Sequence, residues 1–319
     1  MIPEIIAHRG ASYLAPENTL AAFRKAIEIG ADGVEMDVQQ TSDKGLVIHH
    51  DYIIDLHTDI SGKIYDMTMG ELKDLDFGSW KDVSFKDEKI ATLHEALGLC
   101  KEMGCSVQLE LKATIDNDPD FVPRVLDEIR AQDMAQQILM VSFNHDLLRQ
   151  TKELMPELKV GTLLYGAVET MALPAGTWEL LGLQNGLEEE NGFPPLPELS
   201  VENVDDENCS WATRWMANQV SMLRASLPGK SLSEVLQWLK SQHDPVKYVQ
   251  SLSFQPDWIS CEYHTAYQQP GMVQRMRDLG IKTAFWTVDT ETAVRDLLPL
   301  QPDAIVTNRP DRVREWAEA

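Results

Sequence analysis

Cations are scarce in this sequence. The 319 residues include 28 Lys and Arg against 51 Asp and Glu, a formal net charge of −23 at pH 7. A field of that sign repels nucleic acid and anionic membranes and offers no basic footprint for either, while it enriches divalent cations nearby. Cysteine is sparse as well. Cys100, Cys105, Cys209 and Cys261 form no C-x2-C pair, so neither a disulfide framework nor a thiolate zinc site is expected. Reduced thiols and a cytoplasmic location are expected instead. No apolar run reaches about 18 residues, which excludes a membrane-spanning helix from the expectation. Residues 1–7 lack a basic segment and a long apolar stretch, so no secretory leader is expected. Internal repeats are absent too. What is present is ordinary for a globular chain, 43% hydrophobic and 25% charged, which argues against disorder.

Hydrophobic patterning places strands at 2–7, 33–38, 106–112, 137–142, 159–164, 258–261, 282–288 and 303–306, with an extra short strand at 46–49. Helical segments are expected at 18–29, 69–75, 92–103, 119–131, 146–155, 270–279, 291–297 and 311–317. Asn18 reads as the N-cap of the first helix and Gly30 as its stop. Alternation over eight strand–helix units predicts an α/β fold, a parallel (β/α)8 TIM barrel, with an open doubly wound sheet as the alternative. One stretch breaks the alternation. Residues 166–255 are expected to form a long, mainly helical insertion after the fifth strand, leaving 1–165 and 256–319 for the barrel. The insertion holds a Pro/Glu-rich part (188–190, Pro194, Pro195, Pro197), an acidic patch (Asp205, Asp206, Glu207) and two helical runs, 211–226 and 231–242. Helix-spaced Trp211, Trp215, Val220 and Leu223, then Val235, Leu236, Trp238 and Leu239, must bury against something. Loops after barrel strands emerge on the catalytic face. A cap over the barrel mouth and a subunit contact in a homo-oligomer are the two expectations.

Strand parity locates the polar interior. In 32–38, Val34, Met36 and Val38 share one face, and Glu35 and Asp37 the other. In 106–112, Val107, Leu109 and Leu111 face outward, and Gln108, Glu110 and Lys112 inward. Buried carboxylates are costly unless they are paired or bind a cation. Oxygen ligands favour one hard divalent cation, Mg²⁺ or Ca²⁺, over zinc. A salt-bridged or solvated barrel mouth is the other reading. His8 and Arg9 follow the first strand, and His50 precedes Asp51. Two histidines beside a cation suggest a general acid and base, and an adjacent arginine suggests a bound phosphate or carboxylate. His49, His57, His94, His145, His243 and His264 are expected to serve as capping or hydrogen-bonding groups.

At this point the motifs line up. His8-Arg9-Gly10, Pro16-Glu17-Asn18-Thr19, Glu35-Met36-Asp37, His50-Asp51, Glu71-Leu72 and Gly78-Ser79-Trp80 run in order. Thr92-Leu93, Glu110-Leu111-Lys112, Ser142-Phe143, Trp286-Thr287-Val288 and Val306-Thr307-Asn308-Arg309-Pro310 follow. In this order the chain resembles the glycerophosphodiester phosphodiesterase family over 1–165 and 256–319. The resemblance implies a (β/α)8 barrel that hydrolyses glycerophosphodiesters, small soluble substrates, to sn-glycerol 3-phosphate and an alcohol. It implies that Glu35, Asp37 and Glu110 hold one divalent cation and that His8 and His50 are the acid–base pair. Arg9 and Lys112 would contact phosphate, Trp286 would pack on the glycerol, and Glu17 would orient Arg9 or His8. A lysophospholipase D-like reaction at the same site is the alternative activity. Leu56 and His57 stand where the family usually carries Arg and Thr, and Ala91 replaces a usual proline, departures that touch specificity. None of the assigned residues lies in the insertion. Replacing 168–252 is therefore expected to spare turnover of small substrates and to alter selectivity.

Overall fold

The computed structural model describes residues 2–114, 116–166, 218, 221, 222, 225, 227–230 and 232–318. The strands are β1 (Glu4–Ala7), β2 (Gly33–Gln40), β3 (Leu46–Ile48), β4 (Ala91–Thr92), β5 (Ser106–Leu111), β6 (Ile138–Ser142), β7 (Lys159–Leu164), β8 (Trp258–Glu262), β9 (Lys282–Trp286) and β10 (Ala304–Thr307). The helices are α1 (Leu20–Glu28), α2 (Met69–Asp74), α3 (Leu93–Glu102), α4 (Phe121–Gln132), α5 (His145–Leu154), α6 (Leu232–Ser241), α7 (Pro245–Ser251), α8 (His264–Gln268), α9 (Met272–Asp278), α10 (Glu291–Leu297) and α11 (Pro310–Glu318).

Eight strands pair in parallel and close into a barrel in the order β1-β10-β9-β8-β7-β6-β5-β2, with β2 returning to β1. The seam joins the two ends of the chain: Glu4 pairs with Ala304 and Ala7 with Thr307, while Ile6 pairs with Gly33. The expected (β/α)8 barrel is therefore the observed fold, and the open-sheet alternative is excluded by this closure. β3 is the extra short strand. It folds back antiparallel on β2, pairing Val38 with Ile48, and β4 adds antiparallel to β3.

The outer layer follows the strand parity. Val34, Met36 and Val38 of β2 and Val107, Leu109 and Leu111 of β5 are buried in one cluster with Phe23 and Ala26 of α1, Leu97 of α3 and Val125 of α4. Each such side chain contributes about 1.5–3 kcal/mol on burial. One terminus differs from expectation. Thr19, not Asn18, caps α1: its hydroxyl accepts from the Ala22 N–H, while Asn18 takes a left-handed conformation, φ 57°, and turns its amide elsewhere. Gly30, at φ 84°, ends the helix as expected.

Between the fifth and sixth barrel strands, α7 fills the position of a barrel helix. Its Val246, Tyr248 and Val249 bury in the same cluster as Val273 and Met276 of α9 and Ile259 of β8. The last part of the stretch read as an insertion thus packs on the barrel. Cys209, the Pro/Glu-rich part, the acidic patch and most of the 211–226 run lie outside the described residues, as does the side chain of Leu236. Among the described residues, Cys100, Cys105 and Cys261 are buried free thiols, and no helix is long and apolar enough to cross a membrane.

His145 ties this region together. The Trp238 Nε1–H donates to Tyr248 Oη (2.9 Å), Tyr248 Oη lies 2.7 Å from His145 Nδ1, and His145 Nε2 lies 3.1 Å from the Leu163 carbonyl. A carbonyl only accepts, so Nε2 carries the proton and Nδ1 accepts from Tyr248. The ring is satisfied while neutral, and burial lowers its pKa to about 4. In the unfolded chain the ring takes up a proton first, near pH 6.5, so this contribution is complete above that pH and is lost as pH falls toward 4. The destabilisation caused by His145→Asn, measured by urea unfolding, should therefore shrink by about 2 kcal/mol between about pH 7.5 and pH 5. An unchanged difference would mean that the ring is not neutral in the native state.

Candidate active site

Register brings three carboxylates to one end of the barrel. Asp37 pairs directly with Glu110 across β2 and β5, and Glu35 stands two residues earlier on the same face as Asp37. Each offers an oxygen within 4.8 Å of the others, and all three are buried. Two cations and one amide compensate them. The Arg9 backbone N–H donates to Glu35 Oε2 (2.9 Å), and its Nε stands 3.6 Å from Asp37 Oδ2. Lys112 Nζ lies 2.7 Å from Glu110 Oε1 and 3.2 Å from Asp37 Oδ1. The buried Asn18 donates from Nδ2 to Asp37 Oδ2 (2.8 Å) and accepts from the Asp37 N–H (3.3 Å).

The compensation is uneven. Burial and the neighbouring carboxylates hold Glu35 well above its usual range, and burial pushes Glu110 up to about 7 against the pull of Lys112. For Asp37, burial acts upward but Lys112, His50 and Arg9 outweigh it, so it stays ionised far below its usual range. Asp37 Oδ1 makes no hydrogen bond, although the Lys112 ammonium is near. Three buried oxygen donors, two of them short of positive charge, fit a hard divalent cation.

The β1–α1 loop carries His8 and Arg9. Arg9 is left-handed at φ 56° and Gly10 at φ 81°; a Cβ on Gly10 would lie 2.6 Å from the Ala22 backbone carbon. That tight path turns the Arg9 side chain inward, where its Nη1 donates to Glu17 Oε1 (2.8 Å). His8 Nδ1 lies 2.7 Å from Asn308 Oδ1, just past β10. Asn308 Nδ2 donates to Asp289 Oδ2 (2.6 Å), and Ser12 Oγ donates to Asn308 Oδ1 (2.8 Å). Because Asp289 only accepts, the amide must present its oxygen to the ring. His8 Nδ1 therefore carries the proton and Nε2 keeps a lone pair. Burial, then Arg9, lowers the His8 pKa to about 4. His50 comes from the β3 turn-back, and its Nδ1 lies 2.9 Å from Asp51 Oδ1. Burial, then Arg9 and Lys112, lowers its pKa. One histidine thus leans on a neutral amide and the other on a carboxylate.

A cavity of about 200 Å³ opens between these groups. His8, Arg9, Glu35, His50 and Glu110 line its polar side, and Phe143, Leu163, Tyr165, Met222 and Trp286 its apolar side. Phe143 stacks on Tyr165 with centroids 4.2 Å apart and meets Trp286 edge-on at 5.9 Å. Of the residues singled out in the sequence, Asp37, Lys112 and Glu17 are not on this lining. Lys112 is buried against Asp37 and Glu110, and Glu17 stands behind Arg9. Asn18, Asn308, Asp289 and Tyr165 are contributors that sequence reasoning missed. The signal for Asn308 was available, since a buried histidine needs a partner for its other nitrogen.

The profile of the glycerophosphoryl diester phosphodiesterase family matches residues 8–188 and 204–312. The chain belongs to this family. The match runs into 166–188 and 204–255, which the motifs alone had left outside the resemblance. A glycerophosphodiester phosphodiesterase of Caldanaerobacter subterraneus is 41% identical over 167 residues, 52% of this chain and 68% of that protein. One from Bacillus altitudinis is 34% identical over 161 residues, 50% of this chain and 66% of that protein. The chain thus spans about two thirds of these relatives. Among solved structures, an Oleispira antarctica phosphodiesterase in complex with the product sn-glycerol-3-phosphate superposes with a TM-score of 0.66. It is 23% identical, covers 100% of this chain and is itself covered to 98%, and it supports the fold.

Asn18 offers a clean check of the buried charge cluster. Asn18→Ala removes a donor from a buried carboxylate and an acceptor from a buried N–H, each worth about 1–3 kcal/mol when left unsatisfied. The expected loss, by denaturant unfolding without added metal, is about 2–4 kcal/mol. A loss of about 1 kcal/mol or less would show that the Asn18–Asp37 pairing does little to hold the buried carboxylate.

Proposed function

We propose that the chain hydrolyses glycerophosphodiesters to sn-glycerol 3-phosphate and an alcohol, with His8 as general base and His50 as general acid. One observation carries the division of labour: His8 rests on the oxygen of Asn308, and His50 rests on the carboxylate of Asp51. A neutral amide oxygen holds the proton on His8 Nδ1 and leaves the ring neutral, with its Nε2 lone pair free to take a proton from the nucleophile, water or the substrate's own 2-hydroxyl. The Asp51 carboxylate offsets part of the burial and of the Arg9 and Lys112 charges that disfavour the His50 imidazolium, the form that must donate. Glu35, Asp37 and Glu110 would hold one divalent cation, Mg²⁺ or Ca²⁺, which when bound polarises a phosphoryl oxygen. Arg9, anchored by Glu17, presents its guanidinium to the phosphate in the same cavity. Lys112 contributes by balancing Asp37 and Glu110; contact with phosphate, as the motif implies, requires it to release one of them. Trp286 forms the apolar wall against which glycerol packs.

The catalytic body on this reading is 1–165 with 256–319, joined by α7 on its outer layer, and Asn218, Met222 and Ala225 from the intervening stretch stand at the mouth. A small soluble substrate and a cytoplasmic setting agree with the acidic chain and the free thiols. The Phe143–Tyr165–Trp286 wall, with Leu163 and Met222, favours a second substrate class, lysophospholipids cleaved at the same bond.

The deciding assay measures glycerol 3-phosphate release from glycerophosphocholine, with chelator and with added Mg²⁺ or Ca²⁺, and compares lysophosphatidylcholine. Metal-dependent release of glycerol 3-phosphate is expected; release of choline phosphate would overturn the bond assignment. Glu35→Ala and Asp37→Ala should abolish divalent-ion binding in titration calorimetry. His8→Ala and His50→Ala should keep that binding while turnover falls about 10²–10⁴-fold. Ion affinity unchanged in both carboxylate variants would remove the metal site.

A further inference from the structure

Asp51, the partner of His50, has a second ligand from far along the chain. Asn218 Nδ2 donates to Asp51 Oδ1 at 3.1 Å, on the same oxygen that lies 2.9 Å from His50 Nδ1. Asn218 Oδ1 accepts from the Tyr52 backbone N–H at 2.8 Å. The orientation of the amide is set by its partners, because a carboxylate only accepts and a backbone N–H only donates. Asn218 is fully buried, at 0% exposure, and Asp51 is 6% exposed.

Asn218 belongs to the stretch read as an insertion, 167 residues from Asp51 in sequence. Asn218, Ser221, Met222 and Ala225 are helical and follow the spacing of one helix face. That face lies on the catalytic end of the barrel. Met222 lines the substrate cavity, and the Ala225 carbonyl accepts from Asn144 Nδ2 (3.2 Å) at the start of α5. Ala225 and Met222 also pack with Tyr52, Ile53 and Ala113. A polar side chain at 0% exposure, with both ends of its amide matched, is a costly feature for a segment that merely covers a surface.

We propose that Asn218 is a positioning residue for the proton donor: it holds the Asp51 carboxylate, which holds His50 so that Nε2 faces the leaving oxygen. The inference rests on the assignment of His50 as general acid. In that step the P–O bond to the alcohol breaks, its electron pair stays on the leaving oxygen, and the proton on His50 Nε2 moves to that oxygen. Without Asn218, Asp51 loses a donor and is free to swing, and the imidazole swings with it. The stretch is then more than a cap or a subunit contact. The expectation that 168–252 can be replaced while sparing turnover changes accordingly, because Asn218 lies within that span.

Leaving-group dependence separates a proton-positioning role from a structural one. A p-nitrophenyl ester of glycerol phosphate departs as a stable phenolate and needs no proton; glycerophosphocholine releases an alkoxide and does. Asn218→Ala should lower kcat on glycerophosphocholine at least about ten-fold, with KM and the kcat on the p-nitrophenyl ester within about two-fold of the unsubstituted protein. Asn218→Asp keeps the shape and the acceptor for Tyr52 but withdraws the donor, and the same selective loss is expected should the alanine variant fail to fold. His50→Ala, run in parallel, should show the same selectivity in stronger form. Equal loss on both substrates, or no loss on either, in a folded Asn218 variant overturns the inference. Equal loss in His50→Ala instead overturns the acid assignment on which it rests.

Discussion

Everything at the catalytic end of this barrel answers to one constraint: three carboxylates are buried within reach of one another. Unbalanced, they could not stay ionised together. The structure meets the constraint with parts taken from two places, the β1–α1 loop and the residue after β5. The Arg9 backbone is bent into a left-handed path to donate to Glu35, Asn18 gives up the capping role that Thr19 then takes, and Lys112 stands between Asp37 and Glu110. Even so, Glu35 and Glu110 remain held toward protonation. The local backbone around α1 and the first loop is shaped less by helix propensity than by this charge cluster.

Much of the fold was readable because it follows periodicity. Alternating faces on β2 and β5 separate Val34, Met36 and Val38 from Glu35 and Asp37 with no need of the rest of the chain, and the eight strand–helix units predict a closed barrel. What escaped the sequence depends on contacts between distant segments. Asn18 carries the right chemistry for an N-cap and sits one residue before the true cap; only the proximity of Asp37 shows its use. Asn308 and Asp289 belong to separate loops at the end of the chain, and nothing local links them to His8. Lys112 alternates into the barrel as expected, but parity cannot tell whether an inward lysine meets substrate or its own neighbours. The helices α7 and α8 were missed because their apolar content is arranged for packing on the barrel rather than as a long stripe.

The two histidines are held by different kinds of structure. His8 extends from a barrel strand paired along its length with β10 and at its last two residues with β2. His50 follows a three-residue strand outside the barrel circuit, paired antiparallel on β2 and on the two-residue β4. The proposed base is thus part of the scaffold. The proposed acid stands on an appendage, and the further contacts to Asp51 and Tyr52 compensate for that weaker footing.

The barrel seam has a consequence for when the protein becomes competent during synthesis. β1 is synthesised long before its neighbour β10, and the amide that faces His8 Nδ1 lies 300 residues downstream. Until β10 and the residue after it emerge, the first strand lacks one edge partner and His8 has no oxygen to receive its Nδ1 proton. β2 and β5 pair without β10, but on the proposed assignment the base is completed only when β10 closes against β1.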